Sequence, residues 1–252
     1  MTQEVTPERG RLRGWPLVIS LLLFNLFLLL LGSFVVPFQA NVPEGYEAGD
    51  WWFRAIAAVV FVGIAWFTGI KVHRSNRVPW EVLFLVVPIA VAISGDILCI
   101  ASGLPRADLL PSVLLSGVFV GIYEEILSRG LILNALLERM TVPAAVAVSS
   151  LLFGVMHLLR GNPADALLPF MLGVCLGWIY VISGRNLWLV IALHGIYNVS
   201  QAIPELSNTP VQYGVVAGMA LVLVSGVLMT IYGTWRWWGK RLDDQEDSPA
   251  QP

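Results

Sequence analysis

The residues best equipped for chemistry stand together at Gly121-Ile122-Tyr123-Glu124-Glu125-Ile126-Leu127-Ser128-Arg129. Two adjacent carboxylates and an arginine lie there inside a run of Val, Leu, Ile, Phe and Gly long enough to cross a bilayer. An ionised carboxylate in hydrocarbon is costly, so each should face a protein-lined or wet interior. The spacing separates their roles. Glu125 and Arg129 are four residues apart, stacked on one helix face, and can form an ion pair. Glu124 lies about 100° further round the helix, without that partner and free for acid–base work.

Further polar residues interrupt other apolar runs. Phe153-Gly154-Val155-Met156-His157 carries one histidine, and His194-Gly195-Ile196-Tyr197-Asn198 sets a histidine and an asparagine four apart on one face. Asp96 is isolated, and a structural or hydration role is expected for it. His73, in a basic loop, reads as a solvated interfacial residue. A single histidine in a membrane helix is more often a satisfied interhelical hydrogen-bonder than a catalyst. Two glutamates, an arginine, two histidines and an asparagine on three apolar stretches are harder to explain that way.

The elements that must position them are hydrophobic helices. The chain has 252 residues, 57% hydrophobic and 13% charged, with a mean hydropathy of +0.75. Soluble domains carry roughly 25% charged residues, so an all-α polytopic membrane protein is expected. There is no basic stripe suited to nucleic acid. Judged against the ~20 residues a bilayer crossing needs, eight spans are expected. They run at about 16–36, 51–70, 80–102, 111–139, 142–159, 164–183, 187–202 and 213–235. Thr141 and Pro143 read as cap and first-turn proline of the fifth span, and Asn162, Pro163 and Asp165 open the sixth. The Gly117/Gly121 and Gly173/Gly177 pairs favour close packing of spans four and six on their neighbours.

With the N-terminus inside, eleven Lys or Arg residues fall on inner segments, among them Lys71, Arg74, Arg77, Arg139, Arg185 and Arg236; Arg106 and Arg160 alone fall outside. Both termini are therefore expected to be cytoplasmic. Trp51, Trp52, Trp80, Trp188, Trp235, Trp237 and Trp238 fall near span ends, where an aromatic belt belongs. Cys99 and Cys175 read as buried apolar-type thiols, and the acidic end from Leu242 reads as disordered.

The ordered set Glu-Glu-x-x-x-Arg, Phe-x-x-x-His and His-x-x-x-Asn resembles the CPBP family of intramembrane proteases, which includes the type II CAAX prenyl endopeptidases and proteins linked to bacteriocin immunity. The resemblance covers roughly residues 110–205. It implies that Glu124 activates water for peptide hydrolysis with His157 as its partner. It further implies that His194 and Asn198 stabilise the oxyanion, and that Glu125 and Arg129 hold the site together. Family names divide between metalloprotease and glutamic endopeptidase. The chain lacks the His-Glu-x-x-His pattern, and a metal-independent glutamate mechanism is favoured. The alternative is zinc on Glu124, His157 and His194.

On this reading, residues 1–15 form a cytoplasmic segment and 16–108 the first three helices. Residues 109–206 form the catalytic core, 207–238 the last helix and 239–252 a disordered tail. The expected substrate is a membrane-associated protein or peptide, and the expected address is a bacterial inner membrane. A proton- or ion-coupled transporter is the competing class, though no two-fold pattern of broken helices is evident. A catalytically silent immunity or scaffold protein is the third. One tension remains: straight perpendicular helices would part His157 and His194 in depth by roughly 10 Å at 1.5 Å per residue.

Overall fold

A computed structural model describes residues 14–35, 51–103, 107–158, 164–206 and 213–246. Within these residues the protein is helical and has no strand. The helices are α1 (Trp15–Val35), α2 (Trp51–Thr68), α3 (Leu83–Ala101), α4 (Leu110–Glu125), α5 (Asn134–Leu137), α6 (Val142–Leu158), α7 (Ala164–Ile182), α8 (Leu187–Ala202) and α9 (Tyr213–Glu246). A π-helical stretch, Ile126–Leu133, joins α4 to α5 in one continuous rod, which leaves eight rods along the described chain.

Seven of these rods have the chemistry of membrane helices. Trp80–Ala101, Ala107–Leu137 and Gly214–Gly239 are long and apolar enough to cross a bilayer by length and composition, and four shorter apolar helices accompany them. Large apolar side chains such as Val59, Trp66 and Phe67 lie more than two-thirds exposed. In water such a surface would be a liability, whereas in lipid it is the solvent-facing side.

The close helix pairs are α4 with α8, α6 with α7, α3 with α9, α7 with α9 and α2 with α4. The helix limits follow local signals. Thr141 stands ahead of α6 with its carbonyl accepting from the Ala145 N–H at 2.9 Å. Asn186 caps α8, its side chain accepting from the Leu189 N–H at 3.1 Å. Asn162 and Pro163 lie outside the described residues, as do Arg9, Arg11, Arg13, Arg106 and Arg160.

Two expectations need correction here. Helix α9 runs on to Glu246, through the first residues of the stretch read as disordered, because extending an existing helix avoids the cost of a new nucleus. Residues 247–252 lie outside the description. His73 is more than a solvated loop residue. Its Nδ1 accepts from the Leu187 N–H, the first of α8, at 3.1 Å, and its Nε2 pairs with Asn76 Oδ1 at 3.0 Å. Cys99 and Cys175 are buried and form no disulfide, as expected.

Candidate active site

Glycine decides how α4 and α8 meet. A Cβ on Gly121 would stand 2.9 Å from the Ile191 carbonyl oxygen and 3.0 Å from the Gly195 nitrogen. Only a hydrogen fits there, so the two backbones touch as small-residue membrane helices do. That contact carries Glu124 and Glu125, one turn beyond Gly121, up against His194. On the other side, Gly173 of α7 packs where a Cβ would lie 3.2 Å from Ser150 and 3.4 Å from the Phe153 ring, which seats α6 beside the same centre.

Directly after Glu125 the helix widens into its π-helical stretch. Widening changes where carbonyls point. The Ser128 carbonyl accepts from the Ser149 hydroxyl of α6 at 3.2 Å, and the Gly130 carbonyl accepts from Asn134 Nδ2 at 2.7 Å. Such bulges recur at functional sites. Hydrophobic periodicity gave no sign of this one.

The expected pair forms despite the bulge. Arg129 Nη1 donates to Glu125 Oε1 at 2.6 Å, and its Nη2 donates to the Gly173 carbonyl at 3.0 Å. His194 Nδ1 lies 2.7 Å from the same Glu125 oxygen. A carboxylate paired with arginine can only accept, so the partner assigns a proton to Nδ1. The far nitrogen, Nε2, lies 3.8 Å from Glu124 Oε2. Glu124 is therefore not left without a neighbour, as helix spacing alone suggested. The neighbour comes from α8, which intrahelical spacing cannot reveal. Glu125, Arg129 and His194 are 0%, 1% and 2% exposed, and Glu124 is 6% exposed.

Phe153 forms the floor that joins the motifs. Its ring centroid lies 4.8 Å from the His157 ring and 5.8 Å from the His194 ring, both edge-on. The Arg129 guanidinium sits 4.8 Å over the same ring, in cation–π range. Both histidines therefore meet one ring, whatever their difference in depth, and the boundaries of α6 and α8 stand close to expectation. His157 Nδ1 bonds the Phe153 carbonyl at 2.8 Å, leaving Nε2 as the free ring nitrogen. Asn198 is half-buried on α8, one turn beyond His194.

Between these groups lies a cavity of about 20 Å³ lined by Tyr123, Glu124, Leu127, Ser128, Phe153, Met156 and His157. A space of roughly 10–15 Å³ on this measure suffices for a water, provided polar partners are present. Sequence reasoning missed Tyr123, Ser128 and Met156 as lining residues. It also missed Asn25, a buried amide in the apolar run of α1, which accepts from the Tyr123 hydroxyl at 2.8 Å. Its amide nitrogen faces Met156 Sδ at 3.8 Å. The signal was available, since an asparagine amid leucines asks for a partner.

Among the described residues no group of three or more His, Cys, Asp or Glu side chains converges as a metal-binding set. Glu124 and His194 approach each other, but Glu124, His157 and His194 are not gathered as zinc ligands. Asp96 is buried on α3, outside this cluster, with neither carboxylate oxygen hydrogen-bonded.

Fold and site together define an all-α membrane protein with a carboxylate–histidine centre enclosed by α4, α6 and α8. Residues 106–200 match the family model described as type II CAAX prenyl endopeptidase Rce1-like. The matched stretch contains Glu124, Glu125, Arg129, His157, His194 and Asn198, and over it the family expectation raised by the three motifs holds. At the coarse level the match supports a protease. A comparison with curated proteins gives no match.

Proposed function

We propose that this protein is an intramembrane endopeptidase in which Glu124 activates a water molecule to hydrolyse a peptide bond of a membrane-associated substrate. The observation that carries the reading is the water-sized cavity shared by Glu124 and His157, beside a His194 anchored through Glu125. A water there can donate one hydrogen to the Glu124 carboxylate and the other to His157 Nε2, which aims its lone pair at a carbonyl carbon. Glu124 takes the proton as the C–O bond forms, and returns it to the amine as the C–N bond breaks.

Charge balance favours a role for His194 in the same step. Glu124 and Glu125 bring two negative charges and Arg129 one positive, all buried. His194 stands between the two carboxylates, 2.7 Å from Glu125 and 3.8 Å from Glu124, and buried charges persist only when compensated. Its ring faces the place where the oxyanion would form, with Asn198 on the next turn as a second group for it. Arg129 and Glu125 act as positioning residues, fixing the ring that makes the contact.

The substrate is bound from the membrane phase, since apolar faces surround the site. The basic inner segments support cytoplasmic termini. The test is cleavage of a library of membrane-anchored peptides by purified protein in H₂¹⁸O. The reading expects one ¹⁸O in each new carboxyl, with cleavage lost in folded Glu124→Gln and His157→Ala variants and retained with chelator. Cleavage lost on chelation and restored by zinc would overturn the metal-independent part. Unchanged cleavage by the variants would overturn the assignment of the base.

A further inference from the structure

Residues 69–79, between α2 and α3, include the basic run Lys71-Val72-His73-Arg74-Ser75-Asn76-Arg77. The segment has no regular structure over most of its length, yet it is pinned in place. The Arg74 N–H donates to the Arg185 carbonyl at 3.1 Å, and the Tyr180 hydroxyl donates to the Val72 carbonyl at 2.7 Å. Asn186 Nδ2 donates to the Arg77 carbonyl at 3.0 Å. Arg185 itself takes a left-handed backbone, with φ of 71°, and its Nη1 donates to Asn134 Oδ1 at 2.9 Å. Left-handed backbone disfavours a side chain, so the surrounding bonds hold this arginine where it stands.

These bonds frame a cavity of about 820 Å³ at the end of the bundle where α1 begins and α5 stops. Lys71, Arg74 and Arg185 line it, together with His73, Asn134 and Glu138. Three permanent cations thus share the space with one carboxylate. Burial, and then the neighbouring Arg74, lower the pKa of the Arg185 guanidinium from its usual value. Like charges held together by the fold in this way are a standing demand for an anion.

The level of the cavity in the membrane indicates which anion. Trp66 closes α2, Trp80 opens the approach to α3 and Trp188 opens α8, at 79%, 58% and 62% exposure. Amphipathic rings of this kind settle at the headgroup level, and polybasic segments there attract acidic lipids. The volume falls in the range of about 300–1,000 Å³ typical of ligand sites.

We infer that this cavity binds the phosphate of an anionic phospholipid headgroup, through Lys71, Arg74 and Arg185. The site is separate from the Glu124 centre and does not depend on the proteolytic reading. Glu124 lies ten residues before Asn134 on the same rod, with the whole π-helical stretch between them.

The test is thermal unfolding of the full chain in mixed micelles, titrated with phosphatidylglycerol, phosphatidylcholine or inorganic phosphate. Phosphatidylglycerol should raise the midpoint saturably. Lys71→Gln/Arg74→Gln, which keeps the backbone bonds, should need at least tenfold more lipid for half-saturation. Glu138→Gln, which removes the opposing charge, should need less lipid than wild type. An equal shift from phosphatidylcholine, or unchanged saturation in the double variant, would overturn the proposal. Inorganic phosphate producing the full shift alone would assign the site to a soluble anion and overturn the lipid. Should the double variant fail to fold, Glu138→Gln decides: tighter saturation supports the site, and unchanged saturation refutes it.

Discussion

The cavity beside Glu124 is about 20 Å³, and every charge around it is matched within the protein or by a histidine able to match it. The cavity at the other end of the same rod is about 820 Å³ and keeps an excess of positive charge. The contrast follows depth. In hydrocarbon an uncompensated charge costs several kcal/mol, so Glu125, Arg129 and His194 must satisfy one another before Glu124 can be spared for chemistry. At the headgroup level, water and lipid supply the compensation, and cations can stand side by side. A small space fits a water; a large basic one at the interface fits a phosphate.

This contrast can be broken by substitution, most forcefully at mid-membrane. Arg129→Leu leaves Glu125 buried without its cation and should destabilise the fold by about 3–5 kcal/mol. Glu125→Gln/Arg129→Met, which removes both charges, should lose less than the sum of the two single changes. Denaturant or thermal unfolding in detergent checks both, and additive losses would mean the pair is not coupled. Gly121→Val should come next, at about 1–3 kcal/mol for overpacking against Ile191 and Gly195. It should also lower cleavage by moving Glu124 away from His194. Tyr123→Phe removes the hydrogen bond to Asn25 and should cost about 1 kcal/mol with a modest loss of rate. Lys71→Gln at the basic end should change stability in lipid-free detergent by no more than about 0.5 kcal/mol. A large effect there, or a negligible one at Arg129, would remove the contrast.

Much of this was legible in the chain itself, and the limits are instructive. The start of α6 carries local signals, Thr141 and Pro143, so it could be read directly. The Glu125–Arg129 pair follows from intrahelical spacing. Contacts between helices do not. Which face of α8 meets Glu124 is decided by Gly121 and Gly195, and GxxxG patterns name a contact without naming the partner. The π-helical stretch has no compositional mark, because it trades hydrogen-bond register rather than residue type. His73 looked solvated because Leu187, 114 positions away in the chain, becomes its neighbour only when residues 69–79 lie against the start of α8. Asn25 was passed over although its polarity set it apart.

The most direct test of the account exploits the fact that two adjacent glutamates are assigned different work. Glu124→Gln and Glu125→Gln should be measured side by side, for peptide cleavage and for thermal stability, in the same bilayer discs. Glu124→Gln is expected to unfold like wild type while losing about 10²–10⁴ in rate, the range for a general base. Glu125→Gln is expected to lower the unfolding midpoint as Arg129 and His194 lose their shared acceptor. A Glu124→Gln protein that cleaves at the wild-type rate would contradict the account.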